Sequence, residues 1–272
     1  MLRSRSVSIL FVLAASLALL AVGCASARRA TQKPLVMGDA EDRVLGARAA
    51  AAFEDGDSVF VDREVSDYVN QIGQKLARLS DRPTIPYTFR ILRGREPRGV
   101  ALPGGYIYLS VGLLQQLRSQ CELAAVLSHM MAHASLGHPA KALERVKGVG
   151  PAGIREILDA TDRRAGVERA ATALQGVKGY PREWESDADK LTLLYLARVG
   201  FSSEGYPRSI ESFLPPVTAV GARYWESAEG GDSPLDKRLS QVRAELAGMG
   251  LDAGLPCEQR PYAPIRSRLG AP

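Results

Sequence analysis

Histidine is scarce in this chain. Three occur in 272 residues, and all three, His129, His133 and His138, fall in one ten-residue window. Imidazole chemistry is therefore excluded everywhere except that window. Cysteine is equally scarce, with three residues, too few to build a fold of this length on disulfides. No basic cluster with interleaved aromatics is found, which argues against a nucleic-acid surface. Internal repeats are absent as well, which excludes a solenoid or propeller. What is present is ordinary for a globular protein: 46% of residues are hydrophobic and 24% charged. A chain of this length can bury a full core as one large domain or two small ones.

The N-terminus is the exception. "MLRSRS" carries two arginines, "VSILFVLAASLALLAV" follows without a charge, and "GCAS" ends the run. A basic head, a short apolar stretch and small residues describe a secretory signal over residues 1–23. The run is slightly short for a membrane-spanning helix, which needs about 20 apolar residues. "AVGC" resembles a bacterial lipobox, so Cys24 is expected to be the lipidated first residue of the mature chain; an uncleaved anchor is the alternative. Either way the rest lies outside the cytoplasm beside a membrane, and Ala25 is compatible with the outer membrane. Losing Arg3 and Arg5 lowers the formal charge from +5 to +3. Cys121 and Cys257 could pair in an oxidising compartment, but so far apart they read more simply as separate small apolar residues.

Residues 24–38 read as a polar tether. Helical spacing follows in "DAEDRVLGARAAAAF" and "REVSDYVNQIGQKLARL", with Asp39 and Asp62 as N-caps. "YTFRIL" and "YIYLS" read as strands, the second entered through the turn "PGG". A helix from about Gln120 should end at Gly137–His138–Pro139. Residues 140–180 are weakly helical, and "PREWESDADKLTLLYLARVG" is a strong helix ending at Gly200. Shorter helices are expected around 206–214 and 234–247, followed by an irregular tail over 250–272. Helices, a small sheet and more helices make an α+β domain over 39–249.

On a helix, His129 and His133 share a face, with β-carbons roughly 6 Å apart. Two imidazoles so placed can grip one metal ion, as in zinc peptidases that carry H-x-x-x-H. Alone the pattern is weak, because two polar residues can share a face by chance. "ESDAD" offers a further ligand: Glu185 and Asp189 are again four apart on a separate helix. His129, His133 and Glu185 would complete a Zn2+ site with one open position, and Asp189 would hold a ligand histidine in its tautomer. The plainer reading is a solvated acidic helix start, which fits Glu183 better than Glu185.

The chain resembles the BepA/HtpX-like zinc metallopeptidases, the group that includes CAAX prenyl proteases (family forty-eight of the metallopeptidases). "YVNQIGQKLA", "ALPGGYIYLSVGLL", "ELAAVLSH…H" and "ESDADKLTLLYLARVGF" follow that family's order from about Asp39 to Ala247. The resemblance implies a mostly helical gluzincin fold with His129, His133 and Glu185 as zinc ligands. It also implies that Gly105, Tyr106, Ile107 and Tyr108 form the edge strand on which a substrate peptide pairs.

Three positions depart from the family pattern. Met130 stands where a glutamate general base follows the first histidine, Ser233 where a histidine precedes the last helix, and Arg98 where an asparagine precedes the turn. Arg238 matches the family's arginine. Leu123, Leu127, Met130 and Ala134 make an apolar stripe, so the methionine can fill core space. Glu122 lies about 10 Å up the helix axis and cannot replace the base. The expected protein is a lipid-anchored envelope metallopeptidase relative that has lost or nearly lost hydrolysis and binds polypeptide clients. A true zinc endopeptidase using another carboxylate is the rival. A His/Met copper site is a third reading, which Glu185 opposes because a carboxylate suits Cu(I) poorly.

Overall fold

The computed structural model describes residues 37–56, 59–177, 179–212, 235–251 and 262–270. Gly38–Pro272 make one compact unit. The expectations for the signal segment, residues 24–36 of the tether with Cys24, Ser233 and Cys257 fall outside the described residues.

The chain enters through α1 (Asp39–Gly56) and α2 (Arg63–Arg78). Asp39 is the first residue of α1 and not its cap, whereas Asp62 caps α2 as expected, its side chain accepting from Val65 N–H. Val65, Val69, Ile72 and Leu76 turn one face of α2 inward at helical spacing. A three-stranded sheet follows: β1 (Thr88–Leu92), β2 (Gly99–Leu102) and β3 (Tyr106–Ser110). Its order is β1-β3-β2, with β1 parallel and β2 antiparallel to β3. The turn between β2 and β3 requires positive φ at Gly104 (69°) and Gly105 (81°), which only glycine adopts readily. Strand β2 has no counterpart in the sequence reading. At four residues, two of them only half-buried, it is too short to show alternation.

After α3 (Val111–Gln116) comes the central helix α4 (Gln120–Ser135), capped by Ser119 accepting from Glu122 N–H. Every residue of α4 from Cys121 to Ala134 is buried, so the helix is enclosed on all sides and the apolar stripe is only part of its packing. Cys121 is disulfide-bonded, which corrects the reading of it as a separate apolar residue. Gly137, at φ 69°, ends α4, and the chain restarts at once as α5 (His138–Arg145) with Pro139 in its first turn. Helices α6 (Gly150–Asp159) and α7 (Arg163–Gln175) lead to α8 (Arg182–Val199), which packs along α4 and ends at left-handed Gly200. Then come α9 (Gly205–Glu211), α10 (Leu235–Gly248) and α11 (Ala263–Arg268).

The last helix corrects the expectation of an irregular tail. Tyr262, Ile265 and Leu269 join the main core, and the Tyr262 hydroxyl donates to the Leu114 carbonyl at 2.6 Å. Gln115 Nε2 donates to the carbonyls of Leu269 and Gly270. These contacts are long-range, and the proline-rich local sequence conceals them. The architecture is α+β and mostly helical, with a small sheet beside α4, as expected.

Candidate metal centre

Helix α4 presents His129 and His133 one turn apart, and α8 crosses it to present Glu185. His129 Nε2 and His133 Nε2 lie 3.1 Å apart. Glu185 Oε2 completes a triangle, 3.3 Å from the first and 3.6 Å from the second. Zinc with bonds of about 2.0–2.1 Å would set tetrahedral ligand atoms about 3.3 Å apart. The triangle has the right size.

The protons say the same. His129 Nδ1 lies 3.0 Å from the Tyr206 hydroxyl, which itself donates to Asp189 Oδ1 at 2.5 Å. With its own proton committed, the Tyr206 oxygen accepts, so His129 carries hydrogen on Nδ1 and a lone pair on Nε2. Thr192 Oγ1 donates to the Ala188 carbonyl and sits 3.3 Å from the same Nδ1. His133 Nδ1 faces His138 Nδ1 at 2.9 Å. When that proton is on His133, two nitrogen lone pairs and a carboxylate oxygen converge on one point. Such a set calls for a cation, and hard oxygen with borderline nitrogen suits Zn2+.

Arg238 of α10 reaches the cluster itself, its Nη2 lying 3.4 Å from His129 Nε2. Its Nη2 donates to Glu185 Oε2 at 2.8 Å and to Asp189 Oδ1 at 2.6 Å. Burial pushes the Glu185 carboxyl up, but Arg238 and the two histidines outweigh it and hold the group well below the usual range. Burial pulls His129 down to about 4, and burial with His133 and Lys141 pulls His138 down to about 3. Both rings are therefore neutral at neutral pH, the form in which imidazole binds metal.

Among known proteins, the model of peptidase family M48 matches residues 64–218. The chain belongs to that family. A putative beta-barrel assembly-enhancing protease of Vibrio cholerae is 29% identical over 64% of this chain and 36% of its own length. The beta-barrel assembly-enhancing protease of Escherichia coli K12 is 25% identical over 55% of this chain and 33% of its own. The metalloprotease YcaL of the same organism is 21% identical over 79% of this chain and 84% of its own. The chain thus spans little more than a third of the first of these relatives.

Within this M48 site, several residues stand differently from the sequence reading. Asp189 does not reach a ligand histidine directly: it is 3.6 Å from His129 Nδ1, and Tyr206 stands nearer. Its hold on His129 passes through that hydroxyl. The substrate-strand assignment is also corrected. Tyr106, Ile107 and Tyr108 lie in β3, which is paired on both sides, and Gly105 belongs to the turn before it. A central strand has no free ladder to offer. The strand bordering the site on the open edge is β2. Arg98 O accepts from Ser110 N–H at 2.8 Å, so by alternation Gly99 and Ala101 point their N–H and C=O groups outward.

These groups border a cavity of about 490 Å³ beside the candidate metal ligands, with Phe53, Leu143 and Leu174 among its apolar walls. Met130, 6% exposed, belongs both to the core and to the wall of this cavity. Tyr180 stacks on His133 at 4.3 Å and donates to the outward carbonyl of Ala101 at 3.3 Å. Sequence reasoning missed Tyr180, Tyr206, Thr192 and His138. Only His138 carried a signal, as the third member of the histidine window.

Proposed function

We propose that this chain is an envelope-bound M48 relative that retains zinc but cleaves peptides little or not at all, and that it holds extended segments of other envelope polypeptides. The observation that carries the reading is Met130. It follows His129 directly and lines the cavity, where the family's pattern calls for a carboxylate. Bound zinc would supply Lewis-acid polarisation of water and of a carbonyl. Hydrolysis also needs a proton acceptor that returns the proton to the leaving amine, and a thioether cannot serve. Glu183 and Asp187 do not line the cavity, and Glu122 is engaged with Arg118 N–H and the Ser212 hydroxyl.

Client binding draws on β2. An extended segment adding to its open edge would take the place of the Tyr180 hydroxyl at Ala101, with apolar side chains entering the cavity. Strand-forming segments suit such an edge, in keeping with the beta-barrel assembly for which two of the relatives are named. The test is metal analysis with a cleavage assay on casein and on an unfolded β-barrel segment. The expected outcome is about one zinc per chain, lost in His133→Ala, with binding of the segment and no cleavage. Brisk cleavage stopped by a chelator would overturn it.

One observation favours the rival reading. Among the described residues lining the cavity, Glu96 is an acid besides Glu185. Were cleavage found, Glu96→Gln should abolish it with zinc content unchanged.

Membrane attachment is proposed to come from lipid on Cys24. Among the described residues no helix is long and apolar enough to cross a membrane. Cys24→Ser should leave the signal uncut or move the protein to the soluble fraction. Normal processing with unchanged membrane association would count against the anchor.

A further inference from the structure

We propose that His138 is a positioning residue that fixes His133 in its metal-receptive tautomer and so sets the affinity of the centre. The inference rests on the reading of His129, His133 and Glu185 as zinc ligands. Imidazole can present only one lone pair along with one N–H. For His133 to offer Nε2 to a metal, its proton must sit on Nδ1, and the group 2.9 Å from that atom is His138 Nδ1. His138 must then accept, carrying its own hydrogen on Nε2. In the opposite arrangement His138 donates, and His133 aims an Nε2–H at His129 Nε2, 3.1 Å away. That second tautomer closes the triangle to a cation.

The acceptor is held in place independently of His133. His138 begins α5 directly after left-handed Gly137, so the backbone delivers it back beneath α4. Its ring stacks on Trp184 at 4.8 Å with an interplanar angle of 11°. Trp184 in turn carries the Arg145 guanidinium at 4.2 Å and immediately precedes Glu185 on α8. One aromatic stack thus ties the orienting residue of His133 to the helix bearing the third ligand. Partners behind ligand histidines typically change metal affinity 10–100-fold when removed.

The experiment measures zinc affinity of the purified protein by competition with a chromophoric chelator, for wild type, His138→Ala and His138→Asn. Asparagine places its Oδ1 near the position of the lost Nδ1 and can accept the same bond. Expected are a 10–100-fold loss in His138→Ala and recovery of most of it in His138→Asn. Long-range proton–nitrogen NMR of the imidazoles should show His133 protonated on Nδ1 in wild type and in His138→Asn. Zinc affinity within threefold of wild type in His138→Ala would overturn the proposal. So would equal losses in both variants with the His133 tautomer unaltered, which would mark a packing role. A wild type that takes up no zinc would sink the metal reading itself. The His133 tautomer, compared between wild type and His138→Ala, would still decide the positioning role.

Discussion

Met130→Glu should raise chelator-sensitive peptide cleavage by about 10²–10⁴-fold over a wild-type rate near the detection limit, the usual contribution of a general base. The substitution puts the carboxylate on the cavity wall, beside the two histidines, where the thioether now stands. There it can take a proton from the attacking water and deliver it to the departing nitrogen. Around it stand the His129–His133–Glu185 triangle, the Arg238 contact with Glu185 and the edge strand β2. The change has a cost, because Met130 also packs in the main core with Leu123, Leu127 and Ala134. An ionised group there must face the cavity to remain solvated. Met130→Gln, similar in size and unable to act as a base, separates packing from chemistry and should stay inactive. Met130→Glu combined with His133→Ala supplies the metal-free control. Initial rates on one unfolded substrate decide the matter. A wild type as fast as Met130→Glu would remove the basis for calling the chain inactive.

That His129, His133 and Glu185 come together was legible because the cluster is written locally. Two histidines four apart on one helix, and an acid on a second strongly patterned helix, need only the crossing of α4 and α8 to meet. What lies behind the ligands was not legible in the same way. Tyr206 reaches His129 across 77 residues from a helix of seven residues, and nothing in "GYPRS" announces it. Asp189 was correctly placed near His129, but helical spacing gives a face and not a distance, so the intervening hydroxyl was invisible. Strand order failed for a related reason. "YIYLS" has the stronger β-character, yet that strength reflects burial between two neighbours, and the weaker "GVAL" is left at the edge. The same holds for the C-terminal helix, whose anchoring partners lie on α3.

Arg238→Met should destabilise the metal-free protein by about 3–5 kcal/mol, the usual result of stripping one partner from a buried ion cluster. Arg238 is the cation facing both Glu185 and Asp189, and all three side chains are largely buried. Without it the two carboxylates repel each other in a poorly solvated site. Zinc should reverse much of that loss. Glu185 Oε2, which Arg238 Nη2 holds at 2.8 Å, is the same oxygen that faces both histidine nitrogens. Arginine and metal therefore serve one carboxylate, and each cation makes the site less attractive to the other. Removing the arginine leaves more negative charge for a divalent ion to neutralise. By linkage, whatever stability zinc restores beyond its effect on wild type must appear as tighter zinc binding, tenfold for each 1.4 kcal/mol. Urea unfolding of wild type and Arg238→Met, each with and without saturating zinc, gives the four stabilities needed. Chelator competition gives the affinities independently. Equal losses in the zinc-loaded and metal-free proteins would mean that Arg238 stabilises the fold without sensing the metal, and that its contact with Glu185 is only structural.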